Sequence, residues 1–101
     1  MDIKTSIQDK VATVRLQGRF DFSVHRSFRE AFKSALDNAA VKEIQVDLGA
    51  VEYIDSSALG MLLLSRENAA AVGKTVALAR AAGPVKQVLD IANFHKLFAF
   101  K

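Results

Sequence analysis

An aspartate followed by two serines, Asp55-Ser56-Ser57, stands where a strand-like stretch gives way to a helix-forming one. A serine hydroxyl in that position can accept a phosphoryl group. The N–H groups of a first helical turn lack partners within the helix, and the helix dipole favours an anion beside them. A phosphate placed there is held locally. It adds about −1.5 to −2 charge next to Asp55 and remodels the surface without refolding the domain. The same three residues also fit an ordinary helix cap, so the chemistry has to be weighed against a purely structural role.

Other chemistry finds little support. The chain has no G-x-S-x-G elbow, no phosphate-binding G-x-x-x-x-G-K-[ST] loop, no G-x-G-x-x-G and no H-E-x-x-H. His25 and His95 lie far apart in sequence, and a metal site needs several converging ligands. Ser56, His25 and Asp55 contain the residue types of a hydrolase triad. Adjacent Asp55 and Ser56 are poorly placed, however, to act as orienter and nucleophile around one imidazole. The expectation is a protein that is not an enzyme, with no catalytic residues, no cofactor and no metal.

The elements that must position the serines are legible from periodicity. Residues 2–7 and 11–17 read as strands joined by a hairpin turn at Gln8-Asp9-Lys10. In the second, Ala12, Val14 and Leu16 alternate with Thr13, Arg15 and Gln17, and Gly18 is expected to end it. Residues 23–38 read as a helix with Val24, Phe28, Ala31, Phe32, Ala35 and Leu36 on its apolar face and Ser23 as cap. Ile44, Val46 and Leu48 mark a third strand over 43–48. A second helix runs from Asp55-Ser56 to about Val72, with Gly73 as its stop. Thr75 to Ala79 is a fourth strand, and Gly83-Pro84 opens a third helix with Val85, Val88, Leu89 and Ala92 inward. The apolar tail from Phe94 to Phe100 is expected to dock on the core. Strands alternating with helices predict a single α/β domain over residues 1–101, with helices packed against a mixed sheet of four to five strands.

Along the second helix, Ser57, Gly60, Met61, Leu64 and Asn68 share one face by helical spacing. Leu59, Leu62, Leu63, Ala69 and Ala70 share the opposite face, which reads as core. That assignment leaves Met61 and Leu64 either in solvent beside the serines, as a protein-docking surface, or beneath the C-terminal tail. Arg66 falls within the apolar set, with its stem expected to be buried and its head to escape.

Composition narrows the class further. Of 101 residues, 50% are hydrophobic and 25% charged, a globular balance for one domain. No stretch approaches the ~20 apolar residues of a membrane span. Met1-Asp2-Ile3-Lys4 lacks the apolar core of a signal peptide. With no cysteine, the expected location is cytoplasmic, without membrane attachment. The net charge of +3 raises nucleic acid as a partner. Yet residues 1–50 hold eight basic and seven acidic residues, and residues 51–101 hold six and four. The densest basic run, Arg15, Arg19, Arg26, Arg29 and Lys33, is interrupted by Asp21 and Glu30. No direct nucleic-acid binding is expected.

Asp55-Ser56-Ser57-Ala58-Leu59-Gly60 resembles the Asp-Ser-Ser/Thr-Gly/Ala-Leu-Gly signature of STAS-domain anti-sigma-factor antagonists. Leu16-Gln17-Gly18-Arg19-Phe20-Asp21 resembles that family's Gly-x-hydrophobic-Asp segment. The stretch from Val85 to Phe94 resembles its closing helix, so the likeness spans essentially the whole chain. The resemblance implies a switch with Ser56 as phosphoacceptor and Ser57 as the second candidate. The unphosphorylated form binds an anti-sigma factor, often itself a serine kinase, and thereby frees a sigma factor. Phosphorylation breaks that complex, and a PP2C-type phosphatase restores it. Matching the motifs places Asp21 and Asp55 beside the phosphorylation site. Together with Ser57, Gly60, Met61 and Leu64 they form the expected partner-binding set of a monomeric domain. Two positions depart from the pattern. Arg19 replaces the acidic residue more usual after that glycine, and Ala58 stands where glycine is commonest. A second expectation is a STAS subunit of a membrane-transport or lipid-transport system that works without phosphorylation.

Overall fold

The computed structural model describes residues 2–101. Strands β1 (Asp2–Gln8) and β2 (Val11–Phe20) form an antiparallel hairpin. Its turn is Asp9-Lys10, both at positive φ (52° and 70°), the twist that a two-residue hairpin loop demands. A short 3-10 turn (Phe22–Val24) leads into α1 (His25–Leu36). Then follow β3 (Glu43–Ile54), α2 (Ser56–Ala71), β4 (Thr75–Ala79), α3 (Gly83–Ile91), a 3-10 turn (Phe94–Lys96) and β5 (Ala99–Phe100). The sheet order is β1-β2-β3-β4-β5, with β2 to β5 parallel. The result is one α/β domain with a mixed five-stranded sheet and three helices.

Alternation decides which face is buried. Ala12, Val14 and Leu16 of β2 align with Ile44, Val46 and Leu48 of β3 and Val76 and Leu78 of β4 as one core surface. All three helices pack on that surface, through Phe28 and Phe32 of α1, Ala58, Leu62 and Ala69 of α2, and Val85 and Leu89 of α3. The opposite face carries Lys4, Ser6, Thr13, Arg15 and Gln45 at paired positions. The C-terminal tail docks as expected. Phe94 and Phe98 are buried with ring centroids 5.3 Å apart, and β5 adds the fifth strand.

The structure corrects four local expectations. Gly18 does not end β2; at φ 107° it takes part in a register shift, and the strand continues to Phe20. A glycine suits such a bulge because it carries no Cβ. β3 does not end at Leu48 but runs to Ile54, its later residues pairing with the bulged end of β2. Ser23 is not the cap of α1. It lies in the 3-10 turn, where its N–H donates to the Asp21 carboxylate at 3.0 Å. The buried stripe of α2 is Ala58, Leu62, Ser65 and Ala69, so Leu63 and Ala70 face solvent. Arg66 stays exposed. Its Nε–H donates to the Leu97 carbonyl at 2.7 Å and ties α2 to the tail.

Candidate functional site

Parallel pairing of β2 with β3 brings their carboxyl ends side by side, with Arg19 opposite Tyr53 and Phe20 opposite Ile54. The next residues, Asp21 and Asp55, therefore emerge together at the edge from which α/β sheets present their ligand-binding groups. The sequence separates these two aspartates by 34 positions, and the crossover through α1 reunites them.

Asp55 is the hub. Its N–H donates to the Phe20 carbonyl (3.3 Å), and its carboxylate accepts the Ala58 N–H (2.8 Å) and the Phe22 N–H (3.4 Å). It thus caps α2 and fastens the turn after β2 to the same point. The helical ladder of α2 begins with Leu59 N–H donating to the Asp55 carbonyl at 3.2 Å. With Ala58 taken by the cap, the N–H groups of Ser56 and Ser57 stay outside the ladder. Both serines are exposed in the first turn. A phosphate on Ser56 would sit at the positive end of a sixteen-residue helix.

Asp21 lies across from this cap. The Ser23 hydroxyl, which donates to the Asp21 carboxylate, is the main cause of a pKa held below the usual carboxylate range. The Ser23 N–H and the Arg19 charge add to it, and partial burial opposes them. Arg19 reaches Asp21 at 3.7 Å and lies over the Tyr53 ring, 4.1 Å from its centroid. This cationic lid is a site feature that periodicity could not show, because Tyr53 becomes a neighbour of Arg19 only through the strand register. Phe22, 54% exposed, is the other residue that sequence reasoning missed; its place directly after Asp21 was the available signal.

The remaining expected site residues lie along α2. Gly60 is exposed, with open space where a side chain would project. Met61 is half-buried and Leu64 is 52% exposed. The tail does not cover them. It docks on the other flank of α2, around Arg66 and Ala70, whereas Met61 and Leu64 face α1 across a groove of about 350 Å³. His25 lines one end of that groove. Its ring stacks on Phe22 (centroids 4.8 Å apart, planes 4° apart), and its Nδ1 lies 3.0 Å from the Phe22 carbonyl. His25 is therefore engaged with Phe22 and not with a serine. Among the described residues, no group of three or more His, Cys, Asp or Glu side chains could hold a metal ion.

A one-sided mixed sheet with a capped serine pair at the carboxyl ends of its parallel strands defines a STAS-type domain. The sequence profile described as "Mlab, STAS domain" matches residues 3–99, and the chain belongs to that family. It is 42% identical over 86 residues to a STAS-domain containing protein of Pseudomonas aeruginosa (strain UCBPP-PA14), covering 85% of this chain and 83% of the relative. Among solved structures, it resembles an anti-sigma factor antagonist from Mycobacterium paratuberculosis with a TM-score of 0.87 at 20% identity, over 98% of this chain and 83% of that one. The anti-sigma factor antagonist SpoIIAA, in its unphosphorylated form, superposes with a TM-score of 0.75 at 18% identity, over 99% and 87% of the two chains. A sulfate transporter family protein from Wolinella succinogenes shares the fold with a TM-score of 0.76 at 19% identity, over 94% and 80%.

Proposed function

We propose that this domain is an anti-sigma-factor antagonist controlled by phosphorylation of Ser56. The observation that carries the reading is the position of Ser56. It is exposed in the first turn of α2, immediately after the Asp55 cap and beside Asp21. Around it, Asp21, Asp55 and Arg19 sum to one negative charge. A phosphate adds about −1.5 to −2 more, taking the local charge to about −2.5 to −3 and repelling an acidic partner surface. Asp55 keeps its cap in either state, so the domain signals by surface charge and stays folded.

In this reading the unphosphorylated form binds an anti-sigma factor, in many relatives a serine kinase, and so releases a sigma factor. A PP2C-type phosphatase resets the switch. Asp21, Asp55, Ser57, Gly60, Met61 and Leu64 form the contact surface, and Ser57 is the alternate acceptor. The domain acts as a monomer in the cytoplasm, without enzymatic activity or a cofactor. Among the described residues, no helix is long and apolar enough to cross a membrane. The test is affinity for the candidate anti-sigma factor. Ser56→Ala should bind like the wild type, and Ser56→Asp should bind at least about tenfold more weakly. Equal binding by both variants would count against the switch.

The likeness to a sulfate transporter family protein favours a second reading, a STAS subunit of a transport system that works without phosphorylation. Under that reading Ser56→Ala and Ser56→Asp leave function in the host unchanged. Co-purification with a transport ATPase would support it.

A further inference from the structure

The groove between α1 and α2 has an apolar floor and asymmetric rims. Phe28 and Phe32 form the floor, both almost fully buried, with ring centroids 5.8 Å apart. Leu64 supplies a wall that is 52% exposed. From His25 to Leu36 the groove follows three turns of α1, about 16 Å at 1.5 Å per residue. Its concave cross-section between two helices receives a convex apolar ridge. A flat bilayer does not supply that shape, and a sugar–phosphate backbone does not supply an apolar ridge.

Charge says what kind of ridge. Arg29 and Lys33 line the α1 rim, and helical spacing places exposed Arg26 beside Arg29 on its outer edge. Lys33 is paired with Asp37 at 2.8 Å, whereas Arg26 and Arg29 form no salt bridge among the described residues. The α2 rim presents neutral Asn68, with Glu67 on its outer edge. An occupant therefore meets cations on one side only. The groove is also continuous with the Ser56 site, since His25 stacks on Phe22, whose N–H donates to Asp55.

We propose that the α1–α2 groove seats an amphipathic helix of the protein partner, with its apolar stripe on Phe28, Phe32 and Leu64 and its acidic residues facing Arg26 and Arg29. This deepens the reading of the domain as a partner-binding module, and rests on it. It gives the basic run of α1 a role that the phosphorylation site leaves unassigned.

The test uses the full unphosphorylated chain, labelled with 15N, and two synthetic helical peptides. Both carry leucines at i, i+4, i+7 and i+11. One bears glutamates along a single flank, and its twin bears lysines there. The acidic peptide should shift the amides of Phe28, Phe32, Met61 and Leu64, and should bind at least about tenfold more tightly than its twin. Arg26→Glu with Arg29→Glu should reverse that order. Leu64→Glu, at an exposed position that spares the fold, should abolish binding while the melting curve stays in place. Equal binding of the two peptides, shifts confined to other surfaces, no shifts at about 1 mM peptide, or displacement of the peptide by a DNA duplex would each overturn the proposal. The titration is repeated on Ser56→Ala, which cannot be phosphorylated at that position. Peptide binding by both chains, with no phosphate found on Ser56 of the protein from its native host, would remove the switch and keep the groove, whereas a phosphate on Ser56 in the host with no peptide binding by the unphosphorylated chain would do the reverse.

Discussion

Asp55 shows how much one side chain can organise. Its carboxylate caps α2 through Ala58 and holds the turn after β2 through Phe22, so both elements depend on it. Asp55→Ala should destabilise the domain by about 1 kcal/mol. In a thermal melt that is roughly 4–8 °C for a domain of this size. The cap was legible because Asp before a helix-forming run has few other meanings. The pair between Asp47 and Arg80 was not legible, because its members lie 33 positions apart and meet only where β3 and β4 pair. Burial acts to raise the Asp47 pKa. Hydrogen bonds from Arg80 (2.6 Å at the closest) and the Gly49 N–H, with the charges of Arg80 and Arg15, outweigh it and hold the carboxyl below its ordinary value. A depressed folded pKa gives stability that is present above the unfolded value of about 3.9 and is lost as pH falls through the folded one. Arg80→Ala should therefore lower the denaturation midpoint at pH 7, by an amount that solvent screening keeps small because the Arg80 side chain is 60% exposed. The difference from wild type should shrink in denaturant titrations as pH falls through the depressed folded pKa of Asp47.

At the scale of elements, legibility followed how cleanly polar and apolar residues separate. α1 was readable because Phe28, Phe32 and Ala35 fall on one stripe and its charges on another. α2 was readable as a helix, but its inward face was misjudged. Leucines at 59, 62, 63 and 64 give every face an apolar residue, and the sheet chooses among them by seating small Ala58, Ser65 and Ala69 around Leu62. Ser65 is tolerated in that stripe because its hydroxyl donates to the Met61 carbonyl at 2.8 Å. The strand ends were hidden for a related reason. Register shifts on either side of Gln17-Gly18 carry no periodic signal, and β3 gains its last residues by pairing with β2 across and beyond them, Ala50 with Gln17 through Ile54 with Phe20. Ala58, fully buried in the first turn of α2, should stiffen that helix. Ala58→Gly is expected to cost about 1 kcal/mol, read from the midpoint shift in urea at unchanged slope.

For the whole molecule, the fold separates the buried core from the surface proposed to act as the switch. The core lies between one sheet face and three helices, while the serines, both aspartates and the α1–α2 groove lie at its rim. A charge added at Ser56 therefore leaves the core packing untouched. Ser56→Asp should shift the melting temperature by no more than about 3 °C, less than one kcal/mol implies. Its amide shifts should cluster on the first turn of α2, Phe22 and Tyr53. The family was legible in the sequence because the stretch from Asp55 to Gly60 resembles its signature. The groove was not, because its floor belongs to α1 and its wall to α2, and only the packed domain brings them together. The central claim, that Ser56 is the acceptor of a regulatory phosphate, is tested most directly by peptide mass spectrometry on the protein purified from its native host. The same measurement follows incubation with a candidate serine kinase and ATP. The account predicts one phosphate localised to Ser56, absent from Ser56→Ala and removed by a PP2C-type phosphatase. No phosphate on the peptide containing Ser56, in any growth phase or with any candidate kinase, would contradict it and leave the unphosphorylated STAS subunit as the better description.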